Sequence, residues 1–150
     1  MTFEELLNRD GKLAYTNKGV SMMPLLRQGK DVLVIEKCDT FKKYDAVLFV
    51  RKGKCDHQYV LHRILKVNSD GSYWIVGDHC TNGERVEANQ ILGKMTQVYR
   101  NGKKIKVEDK KYLFYVHLWC DFYPIRVFLL RFKSILYRIF IKVRRCFHGK

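Results

Sequence analysis

Between residues 12 and 107 the chain alternates short runs rich in β-branched and aromatic residues with turn-forming residues, and this rhythm narrows the fold more than any other feature. The runs are KLAYT (12–16), DVLVIEK (31–37), AVLFVR (46–51), YVLHRILKV (59–67), SYWIVG (72–77), ILGKMTQVYR (91–100) and KKIKV (103–107). Turn residues fill the stretches 27–30, 52–58, 68–71 and 101–102 between them, which predicts strands joined by loops. Asn101-Gly102 is the strongest hairpin signal, because a two-residue reverse turn needs positive φ and these two residues tolerate it best. Seven strands at these intervals predict a mainly β fold, an antiparallel β sandwich or partly open barrel. Ahead of them, Thr2 with Glu5 three residues later is a capping-box signature for a short N-terminal helix ending near Gly11.

After Asp109 the pattern breaks. Residues 112–123 are mostly aromatic and aliphatic, Pro124 interrupts, and 125–147 has helical periodicity. Phe128, Phe132, Ile135, Leu136, Ile139 and Val143 share one face, while Arg131, Arg138, Lys142 and Arg145 fall on another. The chain has a formal charge of +14, and residues 111–150 hold nine basic side chains against one acidic, +8 of that excess. The sequence therefore divides into a β domain over 1–110 and a basic, aromatic, amphipathic tail over 111–150. Three roles are open to the tail: packing on the domain, lying on a membrane, or gripping nucleic acid. A wide apolar face beside basic rows favours an interfacial membrane helix that uses Phe128, Arg131, Phe132, Ile135, Arg138, Ile139 and Lys142, and no nucleic acid is expected.

The five cysteines, Cys38, Cys55, Cys80, Cys120 and Cys146, are odd in number and have no repeated spacing, so a disulfide framework is not expected. Cys55, His57, His79 and Cys80 match no common zinc pattern, and neither a metal nor another cofactor is expected. The first twenty residues hold acids near the start and no apolar stretch, so neither a signal peptide nor an N-terminal membrane anchor is expected in them. With the unpaired thiols, these features point to the cytoplasmic face of a membrane.

Three segments carry residues of chemical interest. Gly19-Val20-Ser21-Met22-Met23-Pro24 places a serine at a junction between two predicted strands. Leu61-His62-Arg63-Ile64 places a histidine inside an alternating strand. Val76-Gly77-Asp78 leads into a polar loop that reaches Glu84. A serine, a histidine that takes its proton and an acid that orients the histidine form a nucleophilic relay. Each segment alone also has a plainer reading, as a turn serine, a packed strand histidine or a solvated acid.

In this order the segments resemble the type I signal peptidase family, in the branch that uses histidine as base. The resemblance rests on GVSMMP at 19–24, DVLV at 31–34, YDAVLF at 44–49, YVLHRI at 59–64, Gly77-Asp78 and ILGK at 91–94, and it spans roughly residues 15–100. It implies a mostly β fold that binds an extended peptide along a sheet edge and cleaves after small residues. Ser21 would be the nucleophile, with its backbone N–H an oxyanion donor, and His62 the base. Some relatives supply a further hydroxyl two residues before the nucleophile, where this chain has Gly19. The family's acid loop usually runs Gly-Asp-Asn-Asn with a second Asp six residues after the first. Here it runs Gly-Asp-His-Cys and reaches Glu84, which makes Asp78 the first choice for the orienting acid and Glu84 the second. Tyr44 stands where relatives usually have glycine, and the N-terminal membrane helix typical of the family is not expected.

The resemblance thus implies a serine endopeptidase acting on precursor or leader peptides. Two other classes are compatible with a peptidase fold of this type. One is a regulator of the self-cleaving repressor kind, which calls for a DNA-binding N-terminal domain and a lysine base, whereas the base position here is His62. The other is a module that binds peptides without cutting them, against which the retention of Ser21, His62 and an acid argues.

Overall fold

The computed structural model describes residues 2–52 and 57–148. Cys55 and most of the loop predicted over 52–58 lie outside the described residues, as does the side chain of Cys146. Thr2 caps α1 (Phe3–Asp10), accepting from the Glu5 N–H at 3.2 Å while its own N–H donates to the Glu5 carboxylate at 2.9 Å. Gly11, at φ 68°, ends the helix by donating to the Leu7 carbonyl, a left-handed position that a side chain would strain.

The strands are β1 (Lys12–Thr16), β2 (Val32–Glu36), β3 (Ala46–Lys52), β4 (His57–Val67), β5 (Tyr73–Val76), β6 (Gly83–Val86), β7 (Ile91–Arg100) and β8 (Lys103–Lys106). They form one antiparallel sheet in the order β1-β2-β7-β3-β4-β5-β6, with β8 also pairing with β7, and the sheet does not close. Asn101 (φ 50°) and Gly102 (φ 77°) make the β7–β8 turn expected of them. Bulges between Val34 and Ile35, Leu48 and Phe49, and Ile64 and Lys66 add bend to the sheet. Because side chains alternate along a strand, both faces of the central strands are buried. Leu48 and Leu61 face a core that includes Leu7, Leu33, Ile35, Met95 and Val98, while Val47, Phe49 and Ile64 face a second core with Ile75 and Val86.

The division of the chain near residue 110 needs correction. Helix α2 (Lys110–Asp121) buries Tyr112, Val116 and Cys120 in the first core, so it is part of the domain and not an appended tail. These residues recur at helical spacing and face the sheet. The opposite side of the same helix is also apolar and stays exposed, with Phe114 at 70 % and Leu118 at 51 %. Pro124 lies in the first turn of α3 (Tyr123–His148), where its missing N–H costs nothing. From Phe128 to Phe140 almost every residue of α3 is exposed. Among the described residues no single helix is long and apolar enough to cross a membrane, whereas α2 and residues 123–142 pass that test together but are bent by 76° at their junction.

Tyr44, just before β3, has a left-handed φ of 78°. For a bulky residue this backbone is strained, by about 1–3 kcal/mol. Its side chain offsets the cost: the hydroxyl donates to Asp121, and the ring meets His117 at 5.2 Å between centroids. Tyr44 therefore ties the start of β3 to the end of α2. A chain ended at Lys110 is expected to lose its cooperative thermal transition, because the first core then loses one wall. A chain ended at Val127, which keeps α2, should melt cooperatively, and circular dichroism would separate the two.

Candidate active site

Consecutive residues on β4 project to opposite faces, and this sends His62 and Arg63 to different surroundings. Arg63 is fully buried on the α2 side. Its Nε and Nη2 donate to the two Asp78 carboxylate oxygens, each at 2.9 Å, and its Nη1 donates to the Tyr44 carbonyl at 2.9 Å and the Tyr112 hydroxyl at 3.2 Å. Asp78, also 0 % exposed, accepts a further bond from the Tyr115 hydroxyl at 3.0 Å, and its carbonyl accepts from Trp119 Nε1 at 2.7 Å.

His62 lies on the other face, opposite Val47, with its ring 5.9 Å from that of Phe49 and only 6 % of the residue exposed. The carboxylate beside it is Glu84, whose Oε1 lies 3.4 Å from Nδ1. That separation suits an ion pair but is not aligned as a hydrogen bond, and Nδ1 has no other partner among the described residues. Arg51 on β3 holds Glu84 in place, its Nε donating to Oε2 at 2.8 Å and its Nη2 to Oε1. The first-choice acid, Asp78, is thus taken by Arg63, and the second choice, Glu84, stands next to the imidazole. An arginine in a buried strand position needs a carboxylate, and the sequence carried that signal in Arg63 without its being matched to Asp78.

Ser21 sits half-buried on the turn between β1 and β2, pinned by its buried neighbours Met22 and Leu26. Its carbonyl accepts the His79 N–H at 2.7 Å, joining the serine turn to the loop after β5. Gly77 lies where these parts converge. A Cβ there would come within 2.8 Å of the Ser21 carbonyl, 3.0 Å of His62 Nε2 and 2.7 Å of Cys80 Sγ, so the serine turn and the imidazole can be this close only with glycine between them. Ser21, His62, Arg51 and Cys80 line a groove of about 960 Å³ whose aromatic wall is Phe3, Tyr15 and Tyr59. Strand β4 borders this groove, and β5 pairs with β4 only from Arg63 onward, which leaves one edge of residues 58–62 without a neighbouring strand among the described residues.

Burial is the largest influence on His62 and holds its pKa below the ordinary histidine value, with Glu84 pulling the other way. Burial also raises the Cys80 thiol, which keeps it protonated near neutral pH. Among the described residues, no group of three or more His, Cys, Asp or Glu is placed to hold a metal ion. The residues expected to meet a membrane, Phe128, Arg131, Phe132, Ile135, Arg138, Ile139 and Lys142, are all exposed on α3.

No protein-family model, curated protein or solved structure matches this chain.

Asp31 anchors the serine turn from below. It accepts from the Arg27 N–H at 3.0 Å and from Arg27 Nε and Nη2 at 2.9 and 2.7 Å, and it accepts from Arg100 Nε and Nη2 at 3.1 and 2.7 Å. Burial opposes its ionisation, but the bonds from Arg100 and Arg27 prevail and bring its pKa down from 3.8 to about 2. A depressed carboxylate contributes stability that is complete above its unfolded value and lost as pH falls through the folded one. Acid unfolding followed from pH 5 to 1.5 should therefore show a component between 3.8 and about 2 that Asp31→Asn removes.

Proposed function

We propose that this chain is a serine endopeptidase of the signal-peptidase type, with Ser21 as nucleophile, His62 as general base and Glu84 as the acid that orients it. The reading rests above all on Ser21 and His62 lining one groove with Glu84 at the far nitrogen of the imidazole. His62 Nε2 takes the Ser21 proton as Oγ attacks the scissile carbonyl, then passes it to the leaving amine. Glu84 favours the tautomer with the proton on Nδ1 and stabilises the imidazolium that forms. The backbone N–H of Ser21 donates to the developing oxyanion. The substrate would lie as an extended strand along the open edge of β4 at 58–62, so that main-chain hydrogen bonds hold it. A relay acid that closes on its histidine only with substrate bound is compatible with the 3.4 Å seen here.

Ser21→Ala and His62→Ala should each abolish cleavage of a competent precursor peptide while leaving the fold intact, since the two groups act as a unit, with a lower melting temperature for His62→Ala because its ring is buried. Glu84→Gln should lower kcat strongly with a mild effect on stability. Asp78→Asn should do the reverse in kind, showing first as a lower melting temperature. The acid limb of kcat/KM is expected below the ordinary histidine value of about 6.5, because the base must be neutral and burial lowers its pKa. In Glu84→Gln that limb should move lower still, because the charge that favours the imidazolium is gone. Retained activity in either Ser21→Ala or His62→Ala would overturn the assignment.

The same reading places α3 on an anionic membrane surface. It is supported by the exposed stripe of Phe128, Phe132, Ile135 and Ile139 beside Arg131, Arg138 and Lys142. Each basic side chain near such a surface adds about 1 kcal/mol, weakened by salt. Co-sedimentation with vesicles should rise with the fraction of anionic lipid and fall in high salt, and Phe132→Ser with Ile139→Ser should reduce it at every composition.

A further inference from the structure

Arg126 lies in the first turns of α3 with 5 % of its surface exposed. Its Nη1 donates to the Trp119 carbonyl at 3.3 Å, and its guanidinium lies 4.8 Å from the Tyr123 ring centroid and 5.8 Å from that of Trp119. Its Nε and Nη2 are buried without a hydrogen-bond partner among the described residues. Among the described residues no carboxylate pairs with it. Arg63, also buried, has a bidentate carboxylate, which makes the contrast sharp. A buried guanidinium without an anion is unstable relative to one that is paired, so the site lacks a negative group.

The surroundings indicate what carries that group. Arg126 lines a groove of about 470 Å³ in the elbow between α2 and α3, walled by Leu118, Phe122, Ile125 and Leu129, with Lys133 at its end. The positive end of the α3 dipole adds to the field there. A small inorganic anion would satisfy the charge and leave the apolar walls bare, whereas an acyl chain alone would do the opposite. We propose that this elbow binds one anionic glycerophospholipid, its phosphate on Arg126 and Lys133 and its acyl chains against Leu118, Phe122, Ile125 and Leu129. The proposal deepens the membrane reading and rests on it, since it names a lipid taken from the surface on which α3 lies. Bidentate recognition of a phosphate diester suits a guanidinium better than an ammonium.

The test uses the full chain and a soluble lipid, dihexanoyl phosphatidylglycerol below its micelle concentration, in titration calorimetry. One lipid should bind per chain. Arg126→Gln should weaken binding by about tenfold or more, as expected for loss of a charge-assisted bond. Glycerol phosphate, which lacks the chains, should bind far more weakly. Leu129→Glu sets a carboxylate three residues from Arg126 on the same helix. It should raise the melting temperature by pairing with the guanidinium and should abolish lipid binding, so a misfolded Arg126→Gln would not end the test. No saturable binding by the wild type, equal affinity in Arg126→Gln or Leu129→Glu, or glycerol phosphate binding as tightly as the lipid would overturn the site. Phe132→Ser with Ile139→Ser should keep the calorimetric site while losing vesicle sedimentation. If sedimentation survives in that double variant, the placement of α3 on the membrane fails and the elbow site stands separately.

Discussion

The buried pair of Arg63 and Asp78 is the joint on which the rest of the molecule depends. It connects β4, the loop after β5 and the α2 helix through one guanidinium and one carboxylate, both out of contact with water. Tyr112, Tyr115 and Trp119 add bonds from α2 to the same centre. Two charges removed from water cost several kcal/mol each unless their geometry is good and their remaining hydrogen-bonding capacity is used. Here Asp78 receives three side-chain bonds, so the cost is offset, and loss of either partner would leave an uncompensated charge in the core. Removing one member of such a pair typically costs about 3–5 kcal/mol.

The groove is a by-product of that joint. With Asp78 held from the α2 side, Gly77 is set between the Ser21 carbonyl and His62 Nε2, and the serine turn is drawn in by its bond from His79. On the other face the Arg51–Glu84 pair stands against the imidazole. Two ion pairs, one buried and one half-exposed, flank the same short stretch of β4, and they differ in consequence. The buried one sets the architecture. The outer one lines the groove, and its partners can reorganise at smaller cost because water still reaches them.

Much of this was legible in the sequence. The capping box at Thr2 and Glu5, the Asn101-Gly102 hairpin and seven of the eight strands followed from local chemistry, where a few neighbouring residues decide the backbone; β6 (Gly83–Val86), read as part of a polar loop, did not. The positions of Ser21 and His62 on a turn and a strand were equally plain. Which acid meets the histidine was not, because it depends on where the Arg63 side chain goes, and that is settled by packing across more than a dozen residues. The boundary at residue 110 failed for a related reason. Residues 112–120 carry apolar side chains on both sides of the helix, and periodicity alone cannot distinguish a helix with one face in the core from one wholly outside it. The left-handed backbone of Tyr44 gave no local sign, since the groups its side chain meets, Asp121 and His117, are distant in sequence.

The neighbouring placement of His62 and Arg63 also bears on how the chain finds its fold. A slip of β4 by one residue against β3 would turn every side chain to the opposite face. The guanidinium would then enter the groove and the imidazole would face Asp78, leaving that carboxylate buried without its cation while Leu61 moved out of the first core. Misregistered pairings of this strand are penalised twice, by charge and by apolar exposure, so the sequence carries its own proofreading for the strand that holds two buried polar side chains, His62 and Arg63.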